Sequence, residues 1–273
     1  FYWDDWPSIW FLHFLGPTGY EDVFSSDRPL LGQLFKLSSS LLGESPVVWQ
    51  SFGLLTRWFS SIALWWVLRA LWPEKILQAT WIAFLYVVYP GFNQQFISVT
   101  YSHVFIVLTI FWLSMGAMIW AIRKPKYFWP LTISSLLLST YSSFTVEYFF
   151  GLELIRPVVV WISLTGRNYQ PRTRLGKTLL IWLPYLALVI GFLVWRTLYT
   201  DTPRGQVDLF GKLLANPYGT TLQIAKEIFS DVYQTGIHAW VQTINFIKLS
   251  NFGVLTTMLY VLLMLLVGIL IFI

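Results

Sequence analysis

From Pro46 onward, long apolar runs alternate with short polar joints, whereas residues 1–46 sustain no apolar run. A helix crossing a bilayer needs about twenty apolar residues, given its rise per residue. Six runs meet or approach that length: 47–71, 76–89, 96–122, 128–140, 146–164 and 178–199, and residues 254–273 begin a seventh. The runs 76–89 and 128–140 are short for a crossing. Trp72 and Phe92 extend the first, and Tyr127, Tyr141 and Phe144 the second. Within the opening stretch, Trp3, Trp6, Trp10 and Phe14 recur at spacings of three and four, one face of a helix. That helix is too short to cross and is expected to lie in the interface plane, aromatic face down. Gly16-Pro17-Thr18-Gly19 ends it. Ser26-Asp27-Arg28-Pro29 signals a second start, followed by a stripe of Leu30, Leu34, Leu37 and Leu41 with Leu31, Phe35 and Leu42 beside it.

These patterns predict an all-α polytopic membrane protein with six to seven transmembrane helices and two interfacial helices in the first outer loop. Four segments follow: an outer-face loop, 1–46; a helix bundle, 47–200; a second outer loop with an amphipathic helix, 201–250; and a truncated span, 251–273. A further span is expected before Phe1 and more chain after Ile273.

Composition narrows the class. Hydrophobic residues make up 56% of the chain and charged residues 11%, against roughly a quarter charged in soluble domains. The abundant Trp and Tyr suit the headgroup level, where an apolar ring and a polar tip are both satisfied. Without cysteine there is no disulfide framework and no thiolate chemistry. The three histidines, His13, His103 and His238, are far apart in sequence, so no HExxH-type metal site exists. A net charge of +5 does not imply a nucleic-acid partner, because the positive charges concentrate in joints between apolar runs. Arg69 and Lys75 flank one joint, Arg123, Lys124 and Lys126 occupy another, and Arg167, Arg172, Arg174 and Lys177 a third. With strict alternation of spans, these three joints share one side, and their Lys and Arg excess makes it cytoplasmic. Residues 1–46 and 201–250 then face outside. The first of these holds six of the thirteen acidic residues: Asp4, Asp5, Glu21, Asp22, Asp27 and Glu44.

Several of these groups can carry chemistry. The pair Asp4-Asp5 can act as general base toward an acceptor hydroxyl or bind a cation, and each carboxylate disfavours ionisation of the other. Asp5, just before Trp6-Pro7, equally suits a helix cap. Asp27 is placed to cap the second surface helix, with Arg28 at the level of lipid phosphates, where a planar fork can grip one or simply snorkel. Ionisable groups inside spans cost on the order of 2.5–3.5 kcal/mol each and need partners or a task. Glu153 and Arg156, three apart, can pair with each other. Arg57, roughly 15 Å along its helix, is expected to take a carboxylate from another helix, Glu147 or Glu153. Glu147 itself falls near the outer face and can border Asp4 and Asp5. His103 is either a pigment or haem ligand or hydrogen-bonded to Ser, Thr or Tyr of a neighbouring helix.

Tyr2-Trp3-Asp4-Asp5-Trp6, Ser26-Asp27-Arg28-Pro29-Leu30 and Thr145-Val146-Glu147-Tyr148, in this order over about the first 150 residues, resemble the GT-C superfamily of membrane glycosyltransferases, in particular the polyprenyl-phosphate-sugar enzymes that modify O-antigen and related surface glycans. The resemblance implies an integral protein of the bacterial cytoplasmic membrane with a lipid-linked sugar donor. Asp4 or Asp5 would be the base that activates the acceptor, and Arg28 and Arg204 would meet the phosphate; Asp27 and Glu147 would border the substrate. No cofactor is required, although a divalent cation is compatible. A large C-terminal outer domain, frequent in the superfamily, has no counterpart in this sequence. The competing expectation is a non-catalytic accessory subunit of a larger membrane complex, which the abundant Trp and Phe and the lone His103 also suit. Membrane lipids are partners in either case, together with the donor in the first and partner membrane subunits in the second.

Overall fold

The computed structural model describes residues 1–165, 169–199, 209–245 and 253–272, and among these residues there is helix but no strand. Two compact units form, one from Phe1–Val88 with Asn93–Gln206, the other from Tyr89–Phe92 with Val207–Ile273.

The first unit opens with three short helices, α1 (Asp5–Leu15), α2 (Gly19–Phe24) and α3 (Pro29–Leu42). Long helices follow: α4 (Pro46–Leu71), α5 (Ile76–Val87), α6 (Ser98–Arg123) and α7 (Phe128–Thr145), with a 3-10 turn at Pro125–Tyr127 before α7. A 3-10 segment, Glu147–Ile155, leads into α8 (Arg156–Ser163), and α9 (Pro171–Tyr199) completes the unit. Helices α3, α4 and α9 begin on proline, whose missing amide would have had no helical partner at that position.

Helix α6 is the axis. It runs parallel to α4: Gln95, just ahead of α6, donates to Gly53 O at 2.6 Å near the start of α4, and Arg123 donates to Leu71 O at 3.0 Å where both helices end. Helix α7 returns antiparallel, joined to α6 by reciprocal Ser114 and Ser135 hydroxyl-to-carbonyl bonds of 2.6 and 2.7 Å. Tyr185 of α9 donates to Ser135 Oγ at 2.8 Å. The bundle therefore has two distinct ends. Leu71, Ile122, Leu164 and Tyr169 pack together at one, and Lys177 shares a groove with Ile122 and Pro125, so all three basic joints gather there. Helices α1 to α3 cover the other end, where Ile9, Leu12, Tyr20 and Phe35 form a core with Trp49 and Val99.

Polarity is distributed inside out. Helix α7 buries Ser135, Ser139, Ser142, Ser143 and Thr145 but exposes Trp129, Ile133 and Leu137. Helix α4 buries Gly53, Thr56, Ser60 and Ala63 but exposes Leu54, Leu55, Trp58 and Phe59. Small residues let helix backbones approach closely, which is how helices associate when the surroundings are as apolar as their side chains.

Among the described residues two helices, Ser98–Arg123 and Pro171–Leu198, are long and apolar enough to cross a membrane, fewer than the six to seven expected. The reasons are local. Helix α4 is diluted by Gln50, Arg57, Arg69 and its inward hydroxyls, α5 has only 12 residues, and α7 spends its inner face on serine. The run 146–164 is not one helix; it is 3-10 up to Ile155 and α-helical only from Arg156.

The second unit contains α10 (Leu209–Ala215), α11 (Pro217–Tyr233), a π-helical turn (Gln234–His238), α12 (Ala239–Asn245) and α13 (Val254–Phe272). Asn216 caps α11 by accepting from the Gly219 amide at 2.9 Å. Tyr89, which belongs to this unit, donates to Thr235 O at 2.6 Å. The amphipathic helix expected within 201–250 corresponds to α11.

Candidate functional site

Asp4 and Asp5 are neighbours in sequence with opposite fates. Asp5 is 0% exposed. Its carboxylate accepts from the amides of Ser98 (3.0 Å), Val99 (2.8 Å) and Thr100 (3.3 Å), the first turn of α6. It is a cap, as one reading of the sequence allowed, but it caps α6, 93 residues away, instead of its own helix. The physical reason is that a helix start leaves four amides without partners, and those of α6 are buried where only a side chain can reach them. Burial pushes the Asp5 carboxyl above the usual aspartate range, and the Thr100, Val99 and Ser98 amides pull the other way. A carboxylate so enclosed cannot touch a substrate, so the catalytic expectation for Asp5 is corrected. Asp4 remains exposed and makes no side-chain cap bond at the start of α1.

Asp27 does not cap α3 either. The capping position is Arg28, with no side-chain cap bond. Arg28 instead crosses to Glu147, at the start of the 3-10 segment: its Nε donates to Glu147 Oε2 at 2.8 Å, and its Nη2 meets Oε1. Burial works against the Arg28 charge, but the Glu147 carboxylate more than offsets it and holds the guanidinium above the ordinary arginine value. Arg196, in the last turn of α9, lies 3.5 Å from Glu147 Oε1 and donates to Asp27 O at 2.9 Å. Asp27 Oδ2 is 3.9 Å from Arg28 Nε. The Arg28 guanidinium also sits 5.7 Å from the centre of the Tyr148 ring. Tyr101 of α6, hydrogen-bonded to Gln94, lies within electrostatic reach of both Asp4 and Tyr148.

The expected site residues Asp27, Arg28 and Glu147 thus converge at the end of the bundle opposite the basic joints, and Asp4 is exposed at that same end. Arg204 lies outside the described residues. Arg196 and Tyr101 were not expected there. The one signal for Arg196 is an arginine in the last turn of a long apolar helix. Arg28 and Arg196 both approach the Glu147 carboxylate, and Asp27 stands beside Arg28, so two cations face two carboxylates next to Tyr148. The Arg28 fork, which now holds Glu147, has the geometry for phosphate, and an anion would take it by displacing that carboxylate. Among the described residues no group of three His, Asp or Glu side chains could hold a metal ion.

The remaining in-span groups are structural. Glu153 and Arg156 pair, both fully buried, with Ser139 donating to Glu153 at 2.9 Å and Arg156 donating to Ser114 at 2.8 Å. Arg57 takes Gln95 Oε1 at 2.8 Å, in place of the expected bond to Glu147 or Glu153; Glu153 is held by Arg156 and Ser139, and Glu147 lies with Arg28. His103 donates from Nδ1 to Val99 O at 2.7 Å, its Nε2 is bonded to Ser38 Oγ at 2.7 Å, and its ring stacks on Phe35. Both ring nitrogens are therefore occupied by protein, which leaves none for a pigment. On α3 the buried face is Leu31, Phe35 and Ser38, not the Leu30 to Leu41 stripe, and Leu37 and Leu41 face outward. Trp3, Trp6, Trp10 and Phe14 all project from the α1 region to the exterior.

No family model matches the chain, and no curated protein and no solved structure matches it either.

Proposed function

We propose that the chain is a polytopic membrane sugar transferase of the GT-C type, with six to seven spans, in the bacterial cytoplasmic membrane. Its α1–α3 end faces outside. The observation that carries this reading is the convergence of Asp27, Arg28, Glu147 and Arg196 opposite the three basic joints, at the end of the bundle where the exposed Asp4 also lies. Asp4 is the base: it accepts the proton of an acceptor hydroxyl as that oxygen bonds to the anomeric carbon and polyprenyl phosphate departs. Arg28 and Arg196, with Arg204 as a further contact, hold the departing phosphate, and Glu147 keeps the two arginines oriented when no phosphate is bound. The exposed Trp3, Trp6, Trp10 and Phe14 seat this end in the headgroup layer, where the donor's phosphate lies above its apolar tail.

General-base catalysis contributes about 10²–10⁴-fold. Asp4→Asn should therefore reduce sugar transfer from a polyprenyl-phosphate donor by that order in reconstituted vesicles, with unchanged thermal unfolding. Full activity in the Asp4→Asn protein would remove the mechanism. The accessory-subunit reading keeps one observation in its favour, the use of Asp5 as a buried cap. It expects no transfer from any donor and co-purification with other membrane subunits.

A further inference from the structure

The basic end of the first unit carries two grooves that the transferase reading does not use. The first, about 440 Å³, opens between α4, α6 and α7 over Trp66, Ala117, Leu131 and Ser134, with Lys124 at its rim. The second, about 450 Å³, lies between α6, α7 and α9 over Ile122, Phe128, Leu164 and Leu180, with Lys177 at its rim. Both volumes are typical of ligand sites, about 300–1,000 Å³. The same short turn separates them: Lys124 and Tyr127 face the first groove, Pro125 and Phe128 the second. Each ammonium rests on an aromatic ring, Lys124 4.7 Å from Trp120 and Lys177 3.8 Å from Tyr169. Among the described residues neither pairs with a carboxylate.

Charge decides the occupant. The described joints at this end hold Arg69, Lys75, Arg123, Lys124, Lys126, Arg172, Arg174 and Lys177 against one carboxylate, Glu74. An apolar trough with an unpaired cation at its mouth matches a molecule with hydrocarbon chains and an anionic head, and basic pockets between spanning helices are known to hold such headgroups. We propose that these grooves bind an anionic glycerophospholipid of the surrounding bilayer, its chains in the troughs and its phosphate on Lys124 and Lys177. This rests on the membrane reading above but not on the transferase chemistry.

The test is lipid retention. The full chain is reconstituted in vesicles of equal phosphatidylglycerol and phosphatidylcholine, extracted in mild detergent and separated from free lipid, and the bound lipids are counted. Wild type should retain phosphatidylglycerol in preference. Lys124→Gln and Lys177→Gln should each lower that preference about fivefold, the factor for about 1 kcal/mol per basic residue. Ser134→Trp, at an exposed position, should fill the first trough and reduce retained phosphatidylglycerol with no change of charge. Arg172→Gln, at the same end but lining neither groove, should leave the preference intact. Equal retention of the two lipids by wild type, or an equal loss in Arg172→Gln, would overturn the proposal alone. A chain that purifies from water without detergent or lipid would overturn the membrane reading with it.

Discussion

Asp5 shows how one carboxylate can be spent on architecture. It has left water entirely, and three amides of α6 replace its hydration. Those amides would otherwise be buried donors without partners, each such group costing about 1–3 kcal/mol. Asp5→Ala should therefore destabilise the fold by at least about 1–3 kcal/mol, read as thermal unfolding in detergent, and Asp5→Asn, which still offers an oxygen, should cost less. Asp4→Ala, at an exposed site, should stay within about 0.5 kcal/mol of wild type. Equal stability of the Asp5 and Asp4 variants would contradict the capping role. In sequence either acid can serve as base and Asp5, just before Trp6-Pro7, can equally cap, because both duties use a carboxylate oxygen as acceptor. What separates them is which one the α6 terminus approaches.

Helix α6 makes contact on nearly every side, and its small residues set how close its neighbours come. At Gly116 the Trp66 ring of α4 lies directly over the backbone, so that a Cβ there would overlap it. Trp66 also lines the groove beside Lys124, so relief would require its ring to swing out of the α4–α6 seam into that groove. Gly116→Ala should cost about 1–3 kcal/mol by overpacking, and adding Trp66→Leu should recover most of that loss. No recovery in the double variant would mean that the strain lies elsewhere. The runs that became α4 and α6 are readable from hydropathy alone. The interruption of 146–164 is not, because Glu147 serves Arg28 ahead of α3 and Arg196 on α9, and Arg156 serves Ser114 on α6, partners that no local pattern contains. Likewise the inward face of α3 cannot be chosen from its two adjacent apolar stripes; Tyr20 and His103, which pack against Phe35, select it.

Over the whole bundle, positive charge sits at one end and the Arg28–Glu147–Arg196 cluster at the other. If the basic end is cytoplasmic, a membrane-impermeant maleimide should label Ser26→Cys from outside intact cells and reach Lys126→Cys only after permeabilisation. The chain has no native cysteine to confuse the readout, and both positions are exposed. Labelling of both sites in intact cells, or of Lys126→Cys alone, would reverse or dismiss the orientation.

Helical content, the apolar runs, the aromatic face of α1 and the clustering of basic joints follow from one-dimensional order, since periodicity and burial length are local properties of the chain. The partners of Asp5, Arg28, Arg57 and His103 do not. Each is a polar group withdrawn from water that must find its complement on another helix, and which complement comes within 3 Å depends on how the helices pack.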